Sequence, residues 1–213
     1  MGLSPLAILR WLRSGRSPRL LTTIALLLAM SWLCCSEPSS VKAQQPEPTN
    51  VPKEHTVKAV FLYGFGRYVE WPKTVFATPT SPFVIGILGE DMFGGALDEI
   101  AKKKTIQNRT IVIKRFATLE DFKEPCHILF VSRSLTPDEQ AAVIAKTSGK
   151  PVFVVGESPG FAERGATADF FSDGDRVAIE INVDAVRRAQ LRVDARLLSL
   201  AKRVGVSQTT STN

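Results

Sequence analysis

The sequence predicts an α/β fold: a single domain with a mostly parallel sheet flanked by helices and a C-terminal antiparallel hairpin. Three observations lead there. Short continuous apolar runs recur at Phe83–Leu88, His127–Val131 and Pro151–Val155. Segments with helical patterning separate them, as strands covered on both faces of a parallel sheet require. Near the end, Val177, Ile179 and Ile181 alternate with Arg176, Ala178, Glu180 and Asn182 after the hairpin signal Asp173-Gly174. That alternation predicts an antiparallel strand with one wet face.

Before the first element, residues 1–19 carry Arg10, Arg13, Arg16 and Arg19 and no acid, and the apolar run Leu20–Cys35 follows. Its sixteen residues, interrupted by Thr22, Thr23 and Ser31, fall short of the ~20 that a spanning helix needs. Val41-Lys42-Ala43 fits the small-x-small cleavage rule, so residues 1–43 read as a signal peptide cut after Ala43, with the remainder exported to the periplasm. Trp32 and Leu33 before Cys34 argue against a lipid anchor there. The full chain is formally +6, with 27 basic and 21 acidic residues. The leader holds four Arg, Lys42 and Glu37, so the exported part has 22 bases against 20 acids. That balance gives no electrostatic support for nucleic-acid binding. Residues 44–54 are proline-rich and polar, a flexible lead-in, and residues 55–205 suffice for one domain with a full core.

The first element spans Lys58–Pro72, KAVFLYGFGRYVEWP. Val57, Val60, Phe61, Gly64, Phe65 and Tyr68 recur at helical spacing and predict its buried face. Trp71 precedes Pro72, which ends the helix. Gly64 and Gly66 each cost roughly 1 kcal/mol in a helix interior, and close backbone packing is the reason to accept it. Strand Phe83–Leu88 comes next, then a helix over Phe93–Lys103 with Asp91 as its cap. A β-branched strand, Thr110–Phe116, and an acidic turn, Leu119–Phe122, lead to strand His127–Val131. Thr136–Thr147 is a helix with Pro137 at its first position, and strand Pro151–Val155 follows. After the hairpin Ala168–Ser172 and Arg176–Asn182, helices Val183–Ala189 and Asp194–Val204 close the domain. The last carries an apolar stripe of Leu197, Leu200, Ala201 and Val204. Residues 206–213 read as a disordered tail.

Catalytic and metal chemistry is sparse. The exported part offers only His55, His127 and Cys126 as soft ligands, too few for a converging metal site, and His127 reads as a satisfied structural histidine. Gly156-Glu157-Ser158-Pro159-Gly160 has the spacing of a serine-hydrolase elbow, but Pro159-Gly160 continues a loop where that elbow must enter a helix. Gly86, Gly89, Gly94 and Gly95 surround a strand-to-helix turn, yet Glu90 and Asp91 there would repel a phosphate. Cys126 is the one cysteine of the exported part, unpaired, with no disulfide to make, and reads as a small buried hydrophobe. The expectation is a protein that is not an enzyme and holds no cofactor or metal.

KAVFLYGFGRYVEWP, the strand CHILFVSRS and the segment GFAERGATADFFSDGDRVAIEINVDAVRRAQLRVDARLLSLAKRV together resemble the YfiR/HmsC-like periplasmic family, over about residues 54–205. The resemblance implies an exported α/β negative regulator. Such a protein binds the periplasmic domain of an inner-membrane diguanylate cyclase or similar signalling enzyme, lowering cyclic-di-GMP and biofilm matrix output. It also implies an outer-membrane lipoprotein that sequesters the repressor, with a homodimer left open. This chain departs from the family in having a single cysteine where relatives commonly use disulfides, and in Ala166 after Gly165. Ligands and partners of open α/β sheets gather beyond the carboxyl ends of the strands. Phe161, Glu163 and Arg164, in the loop after Pro151–Val155, are therefore the first expected contact site. Arg67 and Trp71, with Tyr68 on the apolar stripe, are the second, since Arg and Trp are enriched at binding hot spots. The rival reading is a periplasmic small-ligand-binding sensory domain with its crevice at that same edge.

Overall fold

Every residue of β2 (Phe83–Leu88), β5 (Ile128–Val131) and β6 (Phe153–Gly156) is buried. The reason is that alternate side chains face two separate cores, one on each side of the sheet. The structure, a computed structural model, describes residues 53–205 except Glu124. The predicted leader with its cut after Ala43, residues 44–52 of the predicted lead-in and the tail 206–213 lie outside the described residues, whereas Lys53 and Glu54, expected in the lead-in 44–54, already belong to the first helix.

The main sheet has eight strands in the order β10-β8-β7-β6-β5-β2-β4-β3. Strands β4 (Arg109–Phe116), β2, β5, β6 and the start of β7 (Ala168–Asp173) run parallel to one another, and β3 (Thr105–Ile106) pairs antiparallel with β4 at the edge. The predicted hairpin joins β7 to β8 (Arg176–Asn182), with Ala168 opposite Ile181 and Asp173 opposite Arg176. Its turn is Gly174-Asp175, one residue later than expected, with Gly174 at φ 59. The helices are α1 (Lys53–Tyr68), α2 (Ala96–Lys103), α3 (Pro137–Thr147), α4 (Val183–Arg188) and α5 (Ala195–Leu200).

Leu62 and Phe65 of α1 and Leu97 of α2 join Ile85, Ile87, Phe130, Phe153 and Phe170 in one core. Val143 of α3 joins Val84, Leu129, Val154 and Phe161 in the other. Helix α3 starts as its sequence predicts. Thr136 accepts from the Glu139 N–H while the Glu139 carboxylate accepts from the Thr136 N–H, with Pro137 first in the helix.

Four features depart from the predicted pattern. First, the buried face of α1 is Lys58, Ala59, Leu62, Phe65 and Gly66, and Val60 is 56% exposed. The stripe is turned by one residue because Lys58 goes inward with a partner and Gly66 lies flat against Ile106. A Cβ at Gly66 would come 2.4 Å from Ile106 Cδ1, whereas one at Gly64 would touch nothing within 4 Å. Close packing thus accounts for one glycine and not the other. Second, α1 ends at Tyr68, short of Trp71. The chain leaves the helix to form β1 (Val69–Glu70) against β9 (Arg192–Val193), and the Asp194 N–H donates to the Tyr68 carbonyl.

Third, α2 begins at Ala96 and not Phe93. Asp91 instead accepts from the Phe93 N–H at 2.8 Å and caps the turn before the helix. Fourth, the predicted helix Asp194–Val204 stops at Leu200. Lys202–Val204 becomes β10, parallel to the end of β8. Leu200 is 73% exposed and only Leu197 of the predicted stripe is buried. Because β10 covers that end of β8, Glu180 and Asn182 are buried too, so β8 has a wet face only over its first half.

Candidate functional site

Helix α1 runs opposite to the parallel strands. Its first turns lie by the carboxyl ends of β5 and β6, where Lys58 meets Glu157, and the chain just past its end lies by their amino ends, where the Trp71 indole donates to the His127 carbonyl. The two expected contact sites therefore sit at opposite edges of the sheet, and the structure does not bring them together.

At the carboxyl edge, Glu157 follows directly after β6 and its side chain is 2% exposed. Lys58 Nζ lies 2.8 Å from one of its oxygens and 2.6 Å from Glu54 one helical turn back. Arg133, just past β5, donates its backbone N–H to Glu157 Oε1 at 3.3 Å and its Nε at 3.2 Å. Burial pushes the Glu157 carboxyl up, but the hydrogen bonds from Lys58 and Arg133 outweigh it and hold the group below its ordinary value. The Arg133 side chain remains 64% exposed. The outcome is a buried ion pair with one cation displayed at the surface above it. Sequence reading missed this cluster. Its signal was a lysine inside an apolar helix and two charges placed within two residues of the ends of buried strands.

The neighbouring loop is fixed from within. Phe161 is wholly buried, which corrects the expectation that it faces a partner. Its ring lies on Gly156, where a Cβ would come 2.3 Å from Phe161 Cδ1. That close approach, not an elbow, explains the first glycine of Gly156-Glu157-Ser158-Pro159-Gly160. Ser158 Oγ accepts from Gln140 Nε2 at 2.9 Å. Arg164 donates to the Pro159 carbonyl at 2.6 Å and to Gln140 Oε1 at 2.8 Å, so it braces the loop while its side chain stays at the surface. Glu163 is exposed.

Beneath the loop, Asp169 Oδ2 accepts from the Phe161 N–H at 3.1 Å, and Oδ1 is buried without a hydrogen-bond partner among the described residues. Burial, with Glu180 directly across the hairpin, pushes the Asp169 carboxyl up to about 7.

At the amino edge, Trp71 is core and not surface. It is 8% exposed and stands edge-on to Phe83 with ring centroids 4.9 Å apart. Arg67 is exposed and lies 5.9 Å from the rings of both Tyr63 and Tyr68, while Arg196 covers Tyr68 at 5.2 Å. Those half-buried tyrosines and arginines keep this edge a candidate without Trp71. His127 is stacked between Phe76 and Phe83 at 4.6 and 4.7 Å, and its Nδ1 accepts from the Val84 N–H at 2.9 Å. Burial pulls its ring down to about 4, so it is neutral at pH 7. Cys126 is a buried thiol that burial pushes up to about 12. Among the described residues no three His, Cys, Asp or Glu converge as metal ligands.

Both ends of this parallel sheet display charged groups, and at the carboxyl end they are braced on buried polar contacts, which defines an α/β domain with a fixed charged edge. The chain belongs to the YfiR/HmsC-like family, which it matches over residues 55–202. That family consists of periplasmic regulators of diguanylate cyclases, regulatory rather than catalytic. No protein of curated function matches the chain. Among solved structures, a conserved domain protein from Vibrio cholerae O1 biovar eltor str. N16961 is similar at 14% identity with a TM-score of 0.40. The match covers 57% of this chain and 54% of that one, so this chain spans about half its length. Among the described residues no helix is long and apolar enough to cross a membrane.

Proposed function

We propose that this protein is a periplasmic repressor that binds the periplasmic part of an inner-membrane diguanylate cyclase, or a similar membrane signalling enzyme, and holds it inactive. Cyclic-di-GMP and matrix output fall as a result, and an outer-membrane lipoprotein relieves the block by sequestering the repressor. The observation that carries this reading is the family match across nearly the whole domain, residues 55–202. The braced carboxyl edge supports it as the contact surface. Glu163 and Arg164 are displayed there on a loop whose conformation is already fixed, with Arg133 beside it in the turn after β5, so little ordering entropy is lost on binding.

Deleting the gene should raise cyclic-di-GMP and matrix production. Glu163→Lys should weaken repression while leaving the melting temperature unchanged, since exposed substitutions typically stay within ~0.5 kcal/mol and rim charges act on recognition. Arg67→Glu tests the amino edge in the same way. Arg164→Glu is a poor choice because it would also cut the brace to Gln140. Leu197→Asp, in the core, is the unfolding control that exposed Leu200 cannot provide. Circular dichroism separates misfolding from lost contact. Unchanged cyclic-di-GMP on deletion removes the cyclase assignment.

A second reading has a specific observation behind it. A cavity of about 500 Å³ lies at the carboxyl edge between Lys53, Val57 and Phe61 of α1 and Arg176 at the hairpin tip. It suits the small-ligand sensory domain, which a melting-temperature rise with a metabolite, lost in Arg176→Gln, would favour.

A further inference from the structure

An open cavity of about 710 Å³ lies at the amino edge of the sheet, the end opposite the braced loop. Its size is within the ~300–1,000 Å³ of small-molecule sites. The apolar part comprises Phe76, Phe122, Val84 and Val152, at the starts of β2 and β6 and in the segments beside them. Four lysines, Lys114, Lys123, Lys146 and Lys150, also line it, and no carboxylate does among the described residues. Lys146 donates to the Leu119 carbonyl at 3.0 Å and stands 5.4 Å over the Phe122 ring, so its charge is held against the apolar part. Lys123 and Lys150 are exposed and form no ion pair among the described residues.

The remaining polar group is His127, 9% exposed and part of the lining. Its Nδ1 is occupied by the Val84 N–H, so the neutral ring carries its proton on Nε2. That N–H has no partner among the described residues and is a fixed donor at the cavity. Apolar walls, one oriented N–H donor and a cationic rim are complementary to a single kind of molecule.

We infer that this cavity binds a small amphipathic carboxylate, its apolar body against Phe76, Phe122 and Val152 and its head toward His127 Nε2–H and the Lys123 and Lys150 ammonium groups. A neutral molecule of the same shape leaves the cationic rim unanswered. A dicarboxylate or sugar phosphate gains the rim but must desolvate polar groups against the apolar wall. The site is independent of the carboxyl-edge contact surface.

Isothermal titration calorimetry of the exported chain with decanoate, and with decanol as its uncharged counterpart, tests this. Decanoate should bind with 1:1 stoichiometry and raise the melting temperature, and decanol should bind at least about tenfold more weakly. Lys123→Gln with Lys150→Gln should weaken decanoate about tenfold, the loss expected for charge-assisted contacts, with the ligand-free melting temperature unchanged. Arg176→Gln, at the carboxyl edge, should bind decanoate as wild type does. Equal affinity for decanol, no decanoate binding up to millimolar concentration, an unaffected lysine variant, or loss on Arg176→Gln would each overturn the inference.

Discussion

Asp169 and His127 are buried titratable groups whose proton affinities are displaced in opposite senses. The Asp169 carboxyl is raised from its ordinary 3.8 to about 7, so the folded state holds that proton more tightly than the unfolded chain. Its contribution to stability is complete below about pH 4 and is lost as pH rises through about 7. His127 is lowered from 6.5 to about 4, so its contribution is complete above about pH 6.5 and is lost as pH falls toward 4. The two slopes oppose each other across the same window. Asp169→Asn should therefore gain stability relative to wild type as pH rises from about 4 to 7, read from urea midpoints at each pH. A difference that stays flat would mean the carboxyl titrates normally. Lys58 and Glu157 make a second test. Removing one member of a buried pair strands a charge, so Lys58→Met should cost about 3–5 kcal/mol. Lys58→Met with Glu157→Leu should recover much of that loss, although Arg133 then loses its acceptor. Additive losses in that cycle would show the pair to be uncoupled.

The glycines of α1 separate propensity from packing. Gly64 has open space where a Cβ would go, so Gly64→Ala should stabilise the protein by about 0.5–1 kcal/mol through helix propensity alone. Gly66→Ala must displace Ile106 and should destabilise it by about 1–3 kcal/mol, the usual cost of overpacking. Thermal melts of the two variants moving in the same direction would contradict this account. Helix α1 was legible as a helix because its apolar residues recur at the right period. Its rotation was not, since that depends on Lys58 finding Glu157, 99 residues later in the chain. The end of α5 was misread for a similar reason. Leu200, Ala201 and Val204 continue an apolar period, but the backbone from Lys202 pairs with β8, a long-range gain that local spacing does not encode. Phe161 looked like a surface aromatic beside two charges, and nothing local disclosed that Gly156 makes room for its ring.

For the molecule as a whole, the central strands were legible because burial on both faces leaves a continuous apolar run that few other structures require. The short strands β1, β3, β9 and β10 were invisible, being two or three residues long with no period to detect. The chain placed the candidate loop correctly at the carboxyl edge, yet the groups displayed there differ from those expected, with Arg133 joining and Phe161 withdrawn. The short strands carry a consequence of their own. The main sheet terminates in β3 on one side and β10 on the other, the latter with exposed Lys202 and Arg203. Strand β3 covers only Arg109 and Thr110 of β4, so the outer edge of Ile111–Phe116 has no strand partner among the described residues, and Lys114 and Arg115 on it discourage pairing with a strand from another chain. Recognition through backbone extension of the sheet is thus opposed by charge at this edge, and so is one route to aggregation. A partner that reads side chains presented at the strand ends has its specificity free to change by point substitution without any alteration of the fold.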